Sequence, residues 1–170
     1  MGHVVLVGLM GSGKTTVGVL LAEALGVLHL DSDRDIQRET GLRGRDLAAR
    51  DGIDALHALE ARHLLDALAQ PGTTVISAAA STLDDPVSRT ELRSPRHLIV
   101  WLHASPAVIA ARLRADDHRP GFGPDLTEVI TQQATRRMAA LEEVADLTLD
   151  ATQPPDVLID KIRTRADAVR

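Results

Sequence analysis

Short runs of apolar, mostly β-branched or leucine residues alternate along the chain with longer stretches in which apolar residues recur every three or four positions. The short runs predict strands at residues 4–7, 27–30, 73–76, 97–102 and 147–149. The longer stretches predict helices at residues 14–25, 53–69, from 105 onward, 125–143 and 155–170. Strands that alternate with helices of this length favour parallel pairing, so the pattern predicts an α/β fold with a three-layer sandwich.

Residues at the ends of the predicted strands indicate where a ligand binds. Ligands of such sheets lie beyond the carboxyl ends of the strands. Gly8, Asp31, Ala78 and His103 each follow a predicted strand, so we expect them to line one crevice. The turn-rich segment 115–124 is predicted to be a lid over that crevice rather than a linker, which makes residues 1–170 a single domain.

Composition narrows the possible functions further. The 170 residues carry a net charge of -5, contain no cysteine and are only 1% aromatic. An acidic chain with scattered arginines and almost no aromatic side chains is a poor nucleic-acid binder, and the lack of cysteine excludes disulfides and thiolate catalysis. No signal peptide is recognisable, and the longest apolar runs, such as residues 98–102, are far too short for a membrane span. We therefore expect a cytoplasmic protein with no nucleic-acid or membrane partner.

The segment Gly8–Thr15 fits the phosphate-binding pattern G-x-x-x-x-G-K-[ST] without a gap, between a predicted strand and a predicted helix. Its glycines let backbone N–H groups approach phosphate oxygens, and the following helix adds the positive end of its dipole. Lys14 is expected to hold the β- and γ-phosphates, and Thr15 to ligate Mg²⁺. The residues predicted to bind ATP here are Gly11, Ser12, Gly13, Lys14, Thr15 and Thr16. A glycine turn before a basic helix is the alternative interpretation.

Two carboxylates follow the second predicted strand, in Asp31-Ser32-Asp33. Asp31 would lie beside the phosphate loop, where it can hold the magnesium shell. Asp33 can accept a proton from an attacking hydroxyl. By itself such a triplet is equally typical of a turn or a helix cap leading into residues 34–39.

Two arginines are candidates for the phosphate and adenine contacts. Phosphoryl transfer needs positive charge over the transferred oxygens, and Arg119 lies in the predicted lid. Arg112, on the preceding helix, could stack on adenine. A solvated loop arginine and a surface salt bridge are the respective alternatives.

These motifs resemble the opening, lid and closing segments of the shikimate kinase family. The likeness is strongest over residues 8–41, where the phosphate loop continues into Thr16-Val17-Gly18 and then reaches the Asp31-Ser32-Asp33 triplet. It returns over residues 112–150, which include Arg119-Pro120 and Glu143-Val144-Ala145-Asp146. The resemblance implies a P-loop NTPase sandwich with a five-stranded parallel sheet in the order 2-3-1-4-5. It also implies a lid and an acceptor-binding helical region at about residues 33–62.

The resemblance also implies roles for single residues. Thr15 and Asp31 would hold Mg²⁺, and Asp33 would bind and orient the acceptor hydroxyl. Arg119 would clamp the phosphates as a catalytic residue beside Lys14 and Asp33, and Arg112 would pack on adenine. Arg137 falls where the family has an arginine for the substrate carboxylate. The acceptor site is thus predicted to contain Asp33, His57, Ala79 and Arg137.

Three departures from the family pattern fall in the acceptor half. His57 stands where the family has a second carboxylate-binding arginine, and an imidazole cannot offer the two-pronged fork of a guanidinium. Ala78-Ala79-Ala80 stands in place of three glycines, whose loss is expected to crowd the acceptor or move the loop. Leu141 occupies the position of an expected tyrosine.

The sequence therefore predicts ATP-dependent phosphorylation of a small hydroxylated metabolite, with Mg²⁺ as cofactor and shikimate as the first choice of acceptor. Gluconate, another sugar acid or a cyclitol remain alternative acceptors. A nucleotide-binding regulatory module without catalysis is the alternative of another class. No guanine-reading Asn-Lys-x-Asp sequence is present, which argues against a GTPase. The small size and the resemblance suggest a monomer or weak dimer.

Overall fold

The computed structural model of the protein describes residues 2–115 and 125–168. The strands are β1 (Val4–Val7), β2 (Leu28–Asp31), β3 (Thr74–Ser77), β4 (Leu98–His103) and β5 (Leu147–Asp150). The helices are α1 (Lys14–Leu25), α2 (Ser32–Thr40), α3 (Gly44–Asp51), α4 (Ile53–Leu68), α5 (Pro86–Leu92), α6 (Pro106–Ala115), α7 (Leu126–Val144) and α8 (Pro155–Ala168). A 3₁₀ turn covers Ala80–Asp84.

The five strands form one parallel sheet in the order β2-β3-β1-β4-β5. This order and the all-parallel pairing confirm the predicted topology. β1 is buried along its whole length and lies at the centre of the sheet. A strand covered on both faces must be apolar on both, which explains the uninterrupted Val-Val-Leu-Val sequence of β1.

Alternate residues of β1 face two separate hydrophobic layers. Val4 and Leu6 pack with apolar residues of α1, α6 and α8. Val5 and Val7 pack on the opposite face with residues of α4 and α5. Helix α7 contributes its first residues to one layer and its last residues to the other. The result is the predicted three-layer arrangement of helices, sheet and helices.

A third, smaller apolar cluster holds the helices that follow β2. Ile36 of α2, Leu47 of α3 and Leu56 of α4 are buried against one another. This cluster fixes the three helices as one unit beside the carboxyl end of β2. The acceptor-binding region predicted at residues 33–62 overlaps these helices, and its role stays a prediction.

The structure corrects several sequence-based boundaries. β2, β3 and β4 each begin and end one residue later than predicted. Helices α3 and α5 and the 3₁₀ turn had not been predicted as separate elements. Ser105 does cap α6 by accepting from the Val108 N–H at 3.4 Å, whereas Asp125 occupies the N-cap of α7 without a side-chain cap bond. The predicted lid, including Arg119, lies outside the described residues apart from its first residue, Ala115.

Across residues 2–115 and 125–168, none of the helices has the length and apolar character needed to cross a membrane.

Candidate active site

A large cavity of about 1210 Å³ opens at the carboxyl ends of the strands. It joins the phosphate loop to the helices that follow β2 and to one side of α7. Asp31 and Ala78 line it, as expected from their positions after strands. Gly8 and His103 do not line it, so the prediction that all four share the crevice was wrong for these two. A cavity of this size has room for a nucleotide and a small second substrate.

The phosphate loop is built from backbone conformations that only glycine adopts readily. Gly11 and Gly13 have φ values of 81° and 99°, in the left-handed region. A Cβ on Gly11 would also lie 3.1 Å from the side chain of Leu113. Gly13 is the N-cap of α1 and leaves the first N–H groups of the helix without a side-chain cap. Those amides and the helix dipole form an anion-binding end that faces the cavity.

Two side chains at the start of α1 are already fixed by hydrogen bonds. Lys14 Nζ donates to the carbonyls of Gly8 and Leu9 at 2.9 and 3.0 Å, which holds the ammonium across the mouth of the loop. Thr15 Oγ1 donates to Asp31 Oδ2 at 2.7 Å. Asp31 is only 4% exposed, and its other oxygen accepts from the Arg34 N–H, capping α2. The predicted magnesium residues are thus adjacent, and both offer the oxygen atoms that this ion prefers.

Asp33 lies in the first turn of α2, exposed on the cavity wall. A hydrogen bond stabilises this turn, in which the Asp31 N–H donates to Asp35 Oδ2 at 3.0 Å. His63 Nε2 donates to the same oxygen at 2.9 Å. The two bonds fix the backbone that carries both Asp31 and Asp33.

The far side of α1 is held by a short hydrogen-bond chain. Ser77 Oγ donates to the Lys14 carbonyl at 3.2 Å and accepts from His29 Nε2 at 2.9 Å. Burial lowers the pKa of His29, so this ring favours its neutral form. These hydrogen bonds require a glycine at position 18, because a Cβ on Gly18 would lie 2.3 Å from the imidazole of His29.

Arg112 connects the phosphate loop with the opposite wall of the cavity. Its guanidinium donates to the Ser12 carbonyl at 3.3 Å and to the Ala151 carbonyl at 2.6 Å. Residues 151–154, between β5 and α8, and the first residue of α8 line the cavity beside it. The part of the cavity beside the phosphate loop is called the nucleotide end. The structure brings Arg112 to this end, where the two backbone contacts set the orientation of its guanidinium plane.

The part of the cavity lined by the predicted acceptor residues Asp33, His57, Ala79 and Arg137 is called the acceptor end. It contains a buried arginine that is already paired. Arg137 is 7% exposed and donates through Nη2 to Asp84 Oδ2 at 2.7 Å. Arg136 lies near the other oxygen of the same carboxylate, with Nε 3.5 Å from Oδ1. Both arginines line the cavity. One carboxylate shared by two guanidinium groups leaves a net positive charge at this wall.

His57 and Glu60 form the opposite part of the acceptor end, on α4. His57 is partly buried and lines the cavity. Glu60 is 8% exposed and accepts a hydrogen bond from Ser81 Oγ. Burial raises the pKa of Glu60, an effect that the Ser81 hydrogen bond and the nearby His57 partly oppose. His57 is therefore both a cavity residue and an electrostatic neighbour of Glu60.

The alanine triplet and Leu141 have different positions relative to this end. All three alanines line the cavity, and Ala80 begins the 3₁₀ turn that carries Ser81. Leu141, on α7, is 2% exposed and packs in the hydrophobic core, and the cavity does not reach it. The change at this last position therefore does not alter the described cavity wall.

Sequence reasoning found Asp33, His57, Ala79 and Arg137, and the structure brings all four to one cavity. It missed Arg45, Ser81 and Arg136, which line the same space. The spacing of Arg136 beside Arg137 was visible in the sequence. The contact of Ser81 with Glu60, 21 positions earlier, had no sequence signal.

The sheet order, the glycine loop at the start of α1 and the Thr15–Asp31 pair define a P-loop nucleotide-binding protein of the small-molecule kinase class. The sequence model of one family, described as shikimate kinase, matches residues 10–167. The chain belongs to the shikimate kinase family.

Similar proteins agree with this assignment. Shikimate kinase 2 of Sodalis glossinidius is 34% identical over 164 residues, which cover 94% of this chain and 92% of that protein. Shikimate kinase of Rhizobium meliloti is 33% identical over 147 residues, covering 86% of this chain and 76% of that protein. The solved structure of shikimate kinase from Acinetobacter baumannii in complex with shikimate superposes with a TM-score of 0.89 at 27% identity. It covers 99% of this chain and 94% of that one.

Proposed function

We propose that the protein transfers the γ-phosphoryl group of ATP to a hydroxyl group of shikimate. The observation that carries this proposal is one cavity that joins the phosphate loop to Asp33 and, at its far end, to Arg137. The family and the shikimate complex of the Acinetobacter relative support the choice of acceptor. Shikimate carries hydroxyl groups and one carboxylate. In the pocket, Asp33 can accept from a hydroxyl group, and Arg136 and Arg137 can bind the carboxylate.

ATP with Mg²⁺ is the co-substrate expected for a member of this family. The donors present fit that ion, because Thr15 Oγ1 and Asp31 Oδ2 lie 2.7 Å apart beside the amides of the loop. Among the described residues, no group of three or more His, Asp or Glu side chains could hold a metal. A protein site with so few ligands suits Mg²⁺, which usually keeps waters and takes phosphate oxygens. Bound there, the ion would neutralise charge on the β- and γ-phosphates.

The chain's own residues would position the two substrates. The loop amides and Lys14 would hold the phosphates, after Lys14 exchanges its two carbonyl contacts for phosphate oxygens. Asp33 would accept a hydrogen bond from the acceptor hydroxyl and take its proton. The new P–O bond would form as the bond between the γ-phosphorus and the bridging oxygen breaks and ADP leaves. Arg137 would bind the acceptor carboxylate, and His57 and Ala79 would contact the ring. Arg112 would pack on adenine, and Arg119 would add positive charge at the transferred group.

The proposal is tested by measuring ADP release with Mg·ATP over shikimate, gluconate and a set of cyclitols. We expect shikimate to give the highest kcat/KM. Faster turnover of gluconate or a cyclitol would contradict the choice of shikimate. Release of ADP at the same rate with and without every acceptor would contradict the assignment as a metabolite kinase.

A further inference from the structure

Arg45 of α3 lines the acceptor end of the cavity, together with Ala48, Ile53 and His57. No sequence motif had pointed to it. Its side chain is 52% exposed, so it is partly in solvent. Arg45 and Ala48 are three positions apart on the helix and therefore lie on the same side of it.

The packing of α3 explains why this side faces the cavity. Leu47 is buried against Ile36 and Leu56, which fixes the rotation of the short helix. Ala48 presents only a methyl group to the cavity and so leaves space over which the longer Arg45 side chain can extend.

The charges of the acceptor end give Arg45 a role. On the α7 wall, Arg136 and Arg137 share their charge with Asp84. On the α4 wall, the cation available is the His57 imidazole, beside the buried carboxyl of Glu60. An imidazole is a weaker and less permanent cation than a guanidinium. The α3–α4 side of the cavity therefore has one permanent cation among its described lining residues, and it is Arg45.

One interaction of Arg45 is an ion pair within its own helix. Its Nε lies 3.5 Å from Asp46 Oδ1, and both side chains are about half exposed, at 52% and 49%. Exposed pairs of this kind contribute little free energy and exchange readily with solvent. A carboxylate arriving in the cavity would offer the guanidinium a two-pronged, less hydrated partner.

We propose that Arg45 is a specificity-determining residue that binds the carboxylate of the acceptor from the α3 side, opposite Arg137. This inference rests on the proposed function, because it presumes an acceptor that carries a carboxylate. Arg45 supplies the permanent charge that His57 does not, so this chain reaches carboxylate recognition from a different helix.

The test compares Arg45→Ala with Arg50→Ala, using shikimate and the uncharged carboxamide of shikimate as acceptors. Arg50 lies on the same helix, pairs with Asp51 at 2.6 Å and does not line the cavity, so it is a matched control. We expect Arg45→Ala to raise the KM for shikimate roughly tenfold, the scale of a partly exposed charge-assisted hydrogen bond. The KM for ATP, kcat and the KM for the carboxamide should stay near the wild-type values. Arg45→Lys should recover part of the loss.

Three results would overturn the inference. An unchanged KM for shikimate in Arg45→Ala would show that the guanidinium does not contact the carboxylate. An equal rise for shikimate and for the carboxamide would show a structural effect on the pocket. The same rise in Arg50→Ala would show a general effect of surface charge. Lack of shikimate turnover in the wild-type protein would instead overturn the proposed function, and the role of Arg45 with it.

Discussion

The two ends of the cavity are built in different ways. At the nucleotide end, one continuous segment, residues 10–17, lines the cavity. Its side chains are fixed by short contacts, such as the bonds of Lys14 to two carbonyls of its own loop. At the acceptor end, the wall is assembled from α2, α3, α4, the 3₁₀ turn and α7. Its principal arginine, Arg137, is fixed by Asp84, 53 positions away.

This difference explains why the departures that line the cavity, His57 and the alanine triplet, lie at the acceptor end. A phosphate loop works through backbone amides, so its geometry requires glycines and few other residues. An acceptor site works through side chains from distant elements. A charged side chain on one element can be lost if a side chain on another element supplies the same charge. We propose Arg45, which lines the cavity together with His57, as a residue of this second kind.

The largest expected effect is at the nucleotide end. Lys14→Ala removes the ammonium held at the mouth of the loop, and we expect kcat/KM to fall about a thousandfold or more, since phosphoryl transfer depends on charge at the phosphates. The loss should be the same with every acceptor, as measured by ADP release. Lys161→Ala, which removes the chain's other lysine from an exposed site on α8, should have no such effect. A Lys14 variant that kept activity would show that the two ends are not as distinct as described.

Asp33, between the two ends, is next. Asp33→Asn keeps the size of the side chain but removes the proton acceptor, so kcat should fall by about two to four powers of ten while ATP affinity is retained. Rapid-quench kinetics and calorimetry with Mg·ATP measure the two quantities separately. Asp66→Asn, an exposed change on α4 away from the cavity, should be neutral. Full activity of Asp33→Asn would contradict its role.

A smaller effect should be confined to the acceptor end. His57→Arg places a permanent, two-pronged cation in the cavity and beside Glu60, so the KM for shikimate should fall by about three- to tenfold. The KM for ATP should not change. Ala58→Arg adds the same charge one position along α4, on its exposed side, and should leave both constants unchanged. A rise in the KM for shikimate with His57→Arg would show that His57 does not face the acceptor carboxylate.

The smallest expected effect is on the pH dependence of stability and involves neither end of the cavity. It concerns His97, which directly precedes β4. Its Nδ1 accepts from the His3 N–H at 3.2 Å. Burial lowers the pKa of His97 below its ordinary value of 6.5, with smaller contributions from His3 and Arg96 that Glu91 opposes. The unfolded chain therefore takes up a proton at higher pH than the folded protein does. Stability should fall as pH falls from about 7 toward 5.

Urea unfolding at several pH values measures this slope. His97→Asn keeps an acceptor for the His3 N–H but cannot be protonated in this range, so its slope should be shallower than that of the wild type. The KM values for both substrates should not differ between the two proteins at pH 7. An identical slope in the variant would show that His97 contributes nothing to acid sensitivity.

The sequence, with the family resemblance, was sufficient for the sheet and for the position of the phosphate loop beside Asp31. Each strand is a short apolar run, and the order of the strands followed once the family resemblance was recognised. Thr15 and Asp31 could be paired because the loop and the carboxyl end of β2 adjoin in such sheets. Helix α3 was missed because it is only eight residues long, is mostly polar and buries one side chain, Leu47.

The acceptor end could be predicted only residue by residue from the resemblance. Its contacts join side chains far apart in the chain, such as Glu60 with Ser81 and Asp84 with Arg137, and no local pattern specifies them. The expectation for Arg119 stays a prediction, since that residue lies outside the described part of the chain. Arg45 carries no motif, and its place became visible only through the rotation of α3.

The central claim is that one cavity joins a phosphate loop to a shikimate site. Phosphorus NMR of the wild-type protein with Mg·ATP and shikimate tests it most directly. We expect a new phosphate monoester signal to grow in a one-to-one ratio with ADP, and to disappear when shikimate is omitted. Formation of ADP with inorganic phosphate alone, or an unchanged ATP spectrum, would contradict the claim.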